Sequence, residues 1–261
     1  MASSITVSEL QRRLASSQPP RVVDVRRRQF HAASPHAIAG ASWHDPADVA
    51  RWGAGLPPGN EIVVYCVHGL HVGRSAADSL AARGLDARYL EGGIAAWEAA
   101  GAPLDAKPVR GIRWITRARP KIDRIACPWL IARFIDPDPT FIYAPTETVL
   151  AEAELQEAIP YDIPGVDLSH DGELCSFDVF LRTYRLDDPA LARLAVIVRG
   201  ADTDRLELAP QSAGLLAVSL GLSRNFPDDH AMLAHGMVMY DALYSWCSTL
   251  TGETHGWNPT P

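Results

Sequence analysis

Cys66 is the residue whose setting points most directly to chemistry. Residues 63–75 read V-V-Y-C-V-H-G-L-H-V-G-R-S, so a short apolar run ending at Tyr65 delivers one thiol to a compact loop, and Gly73, Arg74 and Ser75 open an alanine-rich, helix-like segment. The amides of such a loop and the N–H groups at a helix start converge on one spot and stabilise negative charge there. A cysteine in that cradle serves as a thiolate nucleophile. The competing reading is a buried structural cysteine at the end of a core strand. Around it, His68 or His71 would hold an anionic partner when protonated, with Gly69, Gly73 and Arg74 completing the surround; exposed loop histidines with no role are the competing reading. Asp24 and Arg26, ending a neighbouring β-branched run, read as an ion pair that braces the loop.

The second half of the chain offers different chemistry. Residues 110–133 carry seven basic side chains against Asp123 alone, whereas residues 134–261 carry six basic against twenty acidic. Arginine's planar fork binds tetrahedral oxyanions through paired charge-assisted hydrogen bonds. Arg117, Arg119 and Arg124 lie close enough in sequence to converge, with His170 as an added donor. Ordinary ion pairing of these arginines with the acidic remainder is the competing reading. A metal reading uses His170, Glu173, Asp202 and His230, hard and imidazole donors suited to Mn, Fe or Zn, although no spacing fixes a site. Asp178 and Asp228 read as helix caps, His235 as a hydrogen-bonded core histidine, and Cys127 and Cys175 as buried.

Short strands and helices that alternate must position Cys66. Ser8 reads as the N-cap of a helix to residue 14, followed by a strand at 21–26, a loop at 30–40 and a strand at 41–43. Leu56-Pro57-Pro58-Gly59 is a breaker before the strand that carries Cys66. A helix at 75–83 stops at Gly84, a strand covers 87–90, and a helix at 94–100 is capped by Gly101. This pattern indicates an α/β unit with a mostly parallel sheet, whose ligands sit beyond the carboxyl ends of the strands. Residues 101–108 read as a linker, giving domains at 1–105 and 110–253.

The second domain reads as mostly helical α+β. In the strand R-G-I-R-W-I-T-R-A-R at 110–119, Ile112, Trp114 and Thr116 face one way and Arg113, Ile115 and Arg117 the other. Helical spacing runs over 122–135, where Pro128 must kink the helix or mark its start. A strand at 141–144 and helices at 147–158, 176–184, 190–199, 211–220 and 229–247 follow. The last is apolar nearly all round and reads as the buried centre of this domain.

Composition bounds the function. At 261 residues and 47% hydrophobic, the chain is long enough for two domains with a sizeable core. The N-terminus shows no basic region followed by a long apolar stretch, so a cytoplasmic protein with no membrane partner is expected. Four dispersed cysteines without a C-x-x-C pair argue against a disulfide framework or a cysteine-only zinc site. A net charge of -7 argues against a general nucleic-acid binder.

Val23-Asp24-Val25-Arg26, residues 36–41 (H-A-I-A-G-A), Tyr65-Cys66-Val67-His68-Gly69 and residues 89–97 (Y-L-E-G-G-I-A-A-W) resemble the four signature stretches of a single rhodanese domain. The resemblance implies a rhodanese-like parallel sheet with flanking helices and a sulfurtransferase. Cys66 would carry a sulfane sulfur from a thiosulfate or persulfide donor to a thiol acceptor, with no cofactor required. The loop has the length of sulfur-transferring members; related phosphatases have a longer loop and a His-Cys start, where Tyr65 stands here. Many thiosulfate-using members carry basic or hydroxyl side chains in the loop, whereas this one has His68, Leu70, His71 and Val72.

Residues 117–131 (R-A-R-P-K-I-D-R-I-A-C-P-W-L-I) resemble the C-terminal domain of the chromate-resistance ChrB family. So do Asp162-Ile163-Pro164-Gly165 with His170, Cys175-Ser176-Phe177-Asp178, and Phe226-Pro227-Asp228-Asp229-His230. That resemblance implies a role in chromate response, with chromate or chromium as the partner. Some members regulate transcription through a different N-terminal domain, so DNA binding does not carry over. The expectation is a sulfurtransferase coupled to a chromate-response domain. A non-catalytic chromate or metal sensor and a metal-dependent oxidative-defence enzyme holding a divalent metal are the alternatives.

Overall fold

Two β-branched runs, Arg21–Asp24 and Ile62–Tyr65, lie side by side at the centre of the first unit and are buried on both faces. The computed structural model describes residues 2–56 and 59–253, and the chain divides into two units, Met1–Val109 and Arg110–Pro261. The first opens with β1 (Ser3–Ile5), α1 (Val7–Leu14), β2 (Arg21–Asp24), α2 (Arg28–Ala33), β3 (His36–Ile38) and β4 (Ser42–Trp43). It continues through α3 (Val49–Gly53), β5 (Ile62–Tyr65), α4 (His71–Ala81), β6 (Ala87–Leu90), α5 (Gly93–Ala99) and β7 (Leu104–Ala106). Five strands form a parallel sheet in the order β1-β6-β5-β2-β4, which puts β5 in the middle. Val22 and Val63 pack with Leu10 and Trp97 on one face, and Val23 and Val64 with Ala77 and Leu80 on the other. Helices on both faces explain why these strands read as unbroken apolar runs.

Several expectations for this unit are corrected. Thr6, not Ser8, caps α1, its hydroxyl accepting the Glu9 N–H at 3.2 Å. The expected loop at 30–40 contains most of α2 and all of β3. The expected linker contains β7, which pairs antiparallel with β3, and Lys107 Nζ donates to the carbonyls of His31 and Ser34 at 2.7 and 3.1 Å. Helix α4 begins at His71, four residues earlier than the alanine-rich run implies. Pro57 and Pro58 of the expected breaker lie outside the described residues.

The second unit begins with β8 (Arg113–Arg117), α6 (Asp123–Leu130), β9 (Thr140–Ala144), α7 (Val149–Leu155) and β10 (Ile159–Pro160). Helices α8 (Ser176–Thr183), α9 (Pro189–Asp202), α10 (Pro210–Asn225) and α11 (Asp229–Ser245) complete it. Its sheet is parallel, in the order β10-β8-β9. Ile115 and Ala144 pack on α7, while Trp114 on the opposite face meets Phe180 of α8. This α/β unit followed by a mostly helical α+β unit is the fold class that the sequence indicates.

Pro128 lies inside α6, so it does not mark the start; the helix runs two residues further and widens into a π turn at Ile131–Ile135. Helix α11 is not the buried centre. It buries Met232, Leu233, Gly236 and Tyr240 and leaves Val238 68% exposed. Gly236 lets it approach α6 closely, since a Cβ there would stand 2.2 Å from Ile125 Cγ2. His235 is exposed and stacks on Phe226, contrary to the core histidine expected. Among the described residues no helix is long and apolar enough to cross a membrane.

Candidate functional site

The carboxyl end of β5 hands the chain to Cys66, and α4 starts at His71 after a short turn at 66–70. Leu70, the N-cap, supplies no side-chain hydrogen bond, so the first amides of α4 are left directed at the loop. Gly73 brings that helix end against the thiol: a Cβ there would lie 3.2 Å from Cys66 Sγ. The positive end of an eleven-residue helix therefore meets the sulfur and favours negative charge beside it. From the other side, Ile94 and Ala95 of α5 donate to the carbonyls of Cys66 and Val67 at 3.0 and 3.1 Å. Gly93 (φ +59°) and Gly69 (φ +65°) make this clamp fit, because a Cβ on Gly93 would stand 2.3 Å from Cys66 O and one on Gly69 2.4 Å from Leu90 O. Cys66 keeps 6% of its surface accessible, while Cys127, Cys175 and Cys247 keep none. All four thiols are free.

A buried polar brace supports the loop from beneath. Arg26 Nη2 lies 2.6 Å from Asp24 Oδ2 and donates to His36 O at 3.0 Å. Tyr65, the residue before Cys66, donates its hydroxyl to Asp24 Oδ2 at 3.0 Å and accepts the Ile38 N–H at 3.2 Å. His31 Nδ1 reaches the same oxygen at 3.0 Å. Burial alone would raise the Asp24 pKa, but His31 and Arg26 outweigh it and hold the carboxyl at about 2. Desolvation and the Asp24 charge raise the Tyr65 phenol, keeping it a neutral donor. His68 and His71 are exposed at the rim. Arg74 lies over the Tyr89 ring at 5.2 Å.

In the second unit four side chains meet where β8, α6, the segment after β10 and the end of α9 come together. His170 Nε2 lies 3.1 Å from Asp202 Oδ2, 3.5 Å from Asp162 Oδ1 and 3.6 Å from Asp123 Oδ2. Ser176, at the start of α8, donates its N–H to Asp123 Oδ2 at 2.6 Å and its hydroxyl to Asp162 Oδ1 at 2.7 Å. The far oxygen of Asp162 faces Arg117 Nη2 at 3.5 Å and Arg124 Nε at 3.4 Å. Burial, then the charges of Asp202 and Asp162, push the Asp123 carboxyl well above its usual range. His170 rises to about 9, first through its hydrogen bond to Asp162 and then through the Asp123 and Asp202 charges. Desolvation lowers Arg124 against the pull of Asp162.

The small sheet also buries hydroxyls, with Thr116 on the face opposite that of Arg117. Thr116 and Tyr143 are partners in the β8–β9 register, and Tyr161 follows directly on β10 with its N–H on Ile115 O at 3.0 Å. Thr116 Oγ1, Tyr143 Oη, Tyr161 Oη and Arg117 Nε are all buried and make no hydrogen bond among the described residues. The Arg124 charge acts on both phenols.

Other residues singled out by sequence lie elsewhere. Arg119 donates its N–H to Asp229 and its guanidinium to the carbonyls of Ser223 and Pro227, closing the end of α10; it does not converge with Arg117 and Arg124. Glu173 is 86% exposed and pairs with Arg205, and His230 meets Tyr143 edge-on, so neither joins His170. Asp178 accepts the Cys175 N–H and pairs with Arg199, and Asp228 caps α11. Burial raises the Cys127 and Cys175 thiols, leaving both unreactive. Sequence reasoning missed Asp123 and Asp162 as members of the cluster. Asp123 was visible as the one carboxylate in a basic segment; Asp162 was visible only within the motif D-I-P-G.

A thiol clamped at the carboxyl end of the central strand of a parallel sheet defines the class of the first unit, a rhodanese-like domain, and the family model described as the rhodanese-like domain matches residues 6–100. The model described as ChrB, C-terminal domain, matches residues 114–247. That is half of the chain, which belongs to the ChrB C-terminal domain family. The chain is 34% identical to Protein ChrB of Cupriavidus metallidurans over 146 residues, 56% of this chain and 44% of that protein. It therefore spans less than half the length of that curated relative. Among solved structures, a rhodanese-related protein of Thermoplasma volcanium is 25% identical, covering 40% of this chain and 99% of that one with a TM-score of 0.36. A rhodanese-like domain protein of Staphylococcus aureus is 28% identical over 40% of this chain and 98% of that one, with a TM-score of 0.35. A thiosulfate sulfurtransferase of Pseudomonas aeruginosa is 27% identical over 41% and 20%, with a TM-score of 0.36.

Proposed function

We propose that the chain is a rhodanese-type sulfurtransferase in which Cys66 carries sulfane sulfur as a persulfide, coupled to a chromate-response domain. The observation that carries this reading is the Cys66 clamp: one partly accessible thiol against the open amides of α4, fixed from behind by α5. The Cys66 thiolate attacks the outer sulfur of thiosulfate; a new S–S bond forms on Sγ while the bond to the sulfonate sulfur breaks, and sulfite leaves with that electron pair. An acceptor thiolate then attacks the carried sulfur and returns the thiolate to Cys66. The α4 amides stabilise the negative charge of donor and persulfide, and His68 and His71 at the rim meet the anionic end of the donor. The test is thiosulfate:cyanide transfer by the wild type and Cys66→Ser. The expected result is activity that Cys66→Ser abolishes; equal rates overturn the reading.

A second reading concerns the ChrB-like unit, and two unpartnered phenols near one arginine favour it. The buried Tyr143 and Tyr161 hydroxyls, both acted on by the Arg124 charge, offer hydrogen bonds to a tetrahedral oxyanion of the chromate kind. Such binding raises the melting temperature in proportion to ligand occupancy. Chromate is expected to stabilise the wild type and not Arg124→Ala; no shift in the wild type overturns it.

A further inference from the structure

We infer that the second unit holds one divalent transition-metal cation between Asp123, Asp162 and the Nε2 of His170, with Asp202 bracing His170 from behind. One oxygen each from Asp123 and Asp162 and a ring nitrogen of His170 lie within 4.8 Å of one another. The distances from His170 Nε2 to the three carboxylates, 3.1, 3.5 and 3.6 Å, are poor as a hydrogen-bond set. A single ring N–H satisfies one acceptor at a time, so three carboxylates converge on one donor. Donors around one ion stand at similar spacing: ligand bonds of about 2.1 Å put adjacent donors roughly 3.0–3.4 Å apart in octahedral or tetrahedral geometry, and the observed distances lie at or just above that range.

Asp123 provides the independent observation. Its carboxylate is wholly buried; Oδ2 lies 3.6 Å from His170 Nε2, and the other oxygen, Oδ1, has no hydrogen-bond donor among the described residues. A buried charged oxygen without a partner is costly, and a coordinated cation removes that cost. The neighbouring guanidiniums do not serve it, since Arg117 and Arg124 face the far oxygen of Asp162.

The donors are also held in place, as ligands require. Ser176 fixes Asp123 through its N–H and Asp162 through its hydroxyl, and Asp202 Oδ1 accepts the Asp123 N–H at 3.3 Å. His170, 41% exposed, leaves a path for entry from solvent. Two carboxylates with one imidazole select manganese, iron or zinc over magnesium or calcium, which take oxygen donors alone.

The experiment titrates the full chain, stripped with a chelator, with cobalt(II) followed by visible absorption, and measures manganese, iron and zinc in the untreated protein by mass spectrometry. One equivalent of metal per chain is expected. His170→Ala and Asp202→Asn should each weaken cobalt binding by at least about 10–100-fold, while Cys66→Ser leaves it unchanged. Both altered residues are partly exposed, and near-ultraviolet circular dichroism reports whether each variant is folded. His170→Gln serves if His170→Ala is not. Absence of bound metal in the untreated protein together with no cobalt uptake overturns the inference, as does uptake unaltered in folded His170 and Asp202 variants.

Discussion

Asp24 carries much of the first unit's polar organisation, because one buried carboxylate holds Arg26, His31 and Tyr65 at once. Its pKa of about 2 lies below the ordinary value, so the fold resists its protonation. That contribution is complete above about pH 5 and fades as the pH falls toward 2, an expected loss of about 2 kcal/mol. Chemical denaturation between pH 7 and 2 checks it: Asp24→Asn should be about 3 kcal/mol less stable at pH 7, with Arg26 left buried beside a neutral side chain, and should lack that acid-dependent component. The Asp24–Arg26 pair was legible because the two residues stand together at one strand end. Tyr65 and His31 were not, since the former reaches Asp24 across 41 residues and the latter through a helix that the sequence concealed as a loop.

Among elements, the turn at 66–70 depends on glycines that have no room for a side chain. Gly93→Ala would push a Cβ into the Cys66 and Val67 carbonyls, whereas Gly101→Ala, also at positive φ, meets nothing within 4 Å. Gly101→Ala should cost about 1–2 kcal/mol for its backbone conformation alone, Gly93→Ala clearly more, and only the latter should impair sulfur transfer; paired melts and assays separate them. The start of α4 was misplaced because His71 and Val72 carry no helix signal and Leu70 is no capping residue. Helix α11 misled for another reason: apolar residues all round cannot tell a buried helix from one that leaves an apolar face exposed. Met232→Ala should cost about 2–4 kcal/mol and Val238→Ala within about 0.5 kcal/mol, as denaturant midpoints would report.

At the scale of the whole molecule, the two units bring different chemistries into one chain. Their order was legible because each carries several spaced motifs. The four-residue cluster on His170 was not, because its members come from α6, the segment after β10, the loop before α8 and the end of α9, and no local spacing records that meeting. Removing metal with a chelator should therefore lower the melting temperature of the second unit and leave persulfide formation on Cys66 unchanged; calorimetry paired with the sulfur assay reads both. The central claim is tested most directly by intact-protein mass spectrometry after incubation with thiosulfate, followed by peptide mapping. The account predicts a gain of one sulfur atom, located on Cys66, absent from Cys66→Ser and released by a thiol acceptor; no adduct on a folded wild-type chain, or one that persists in Cys66→Ser, would contradict it.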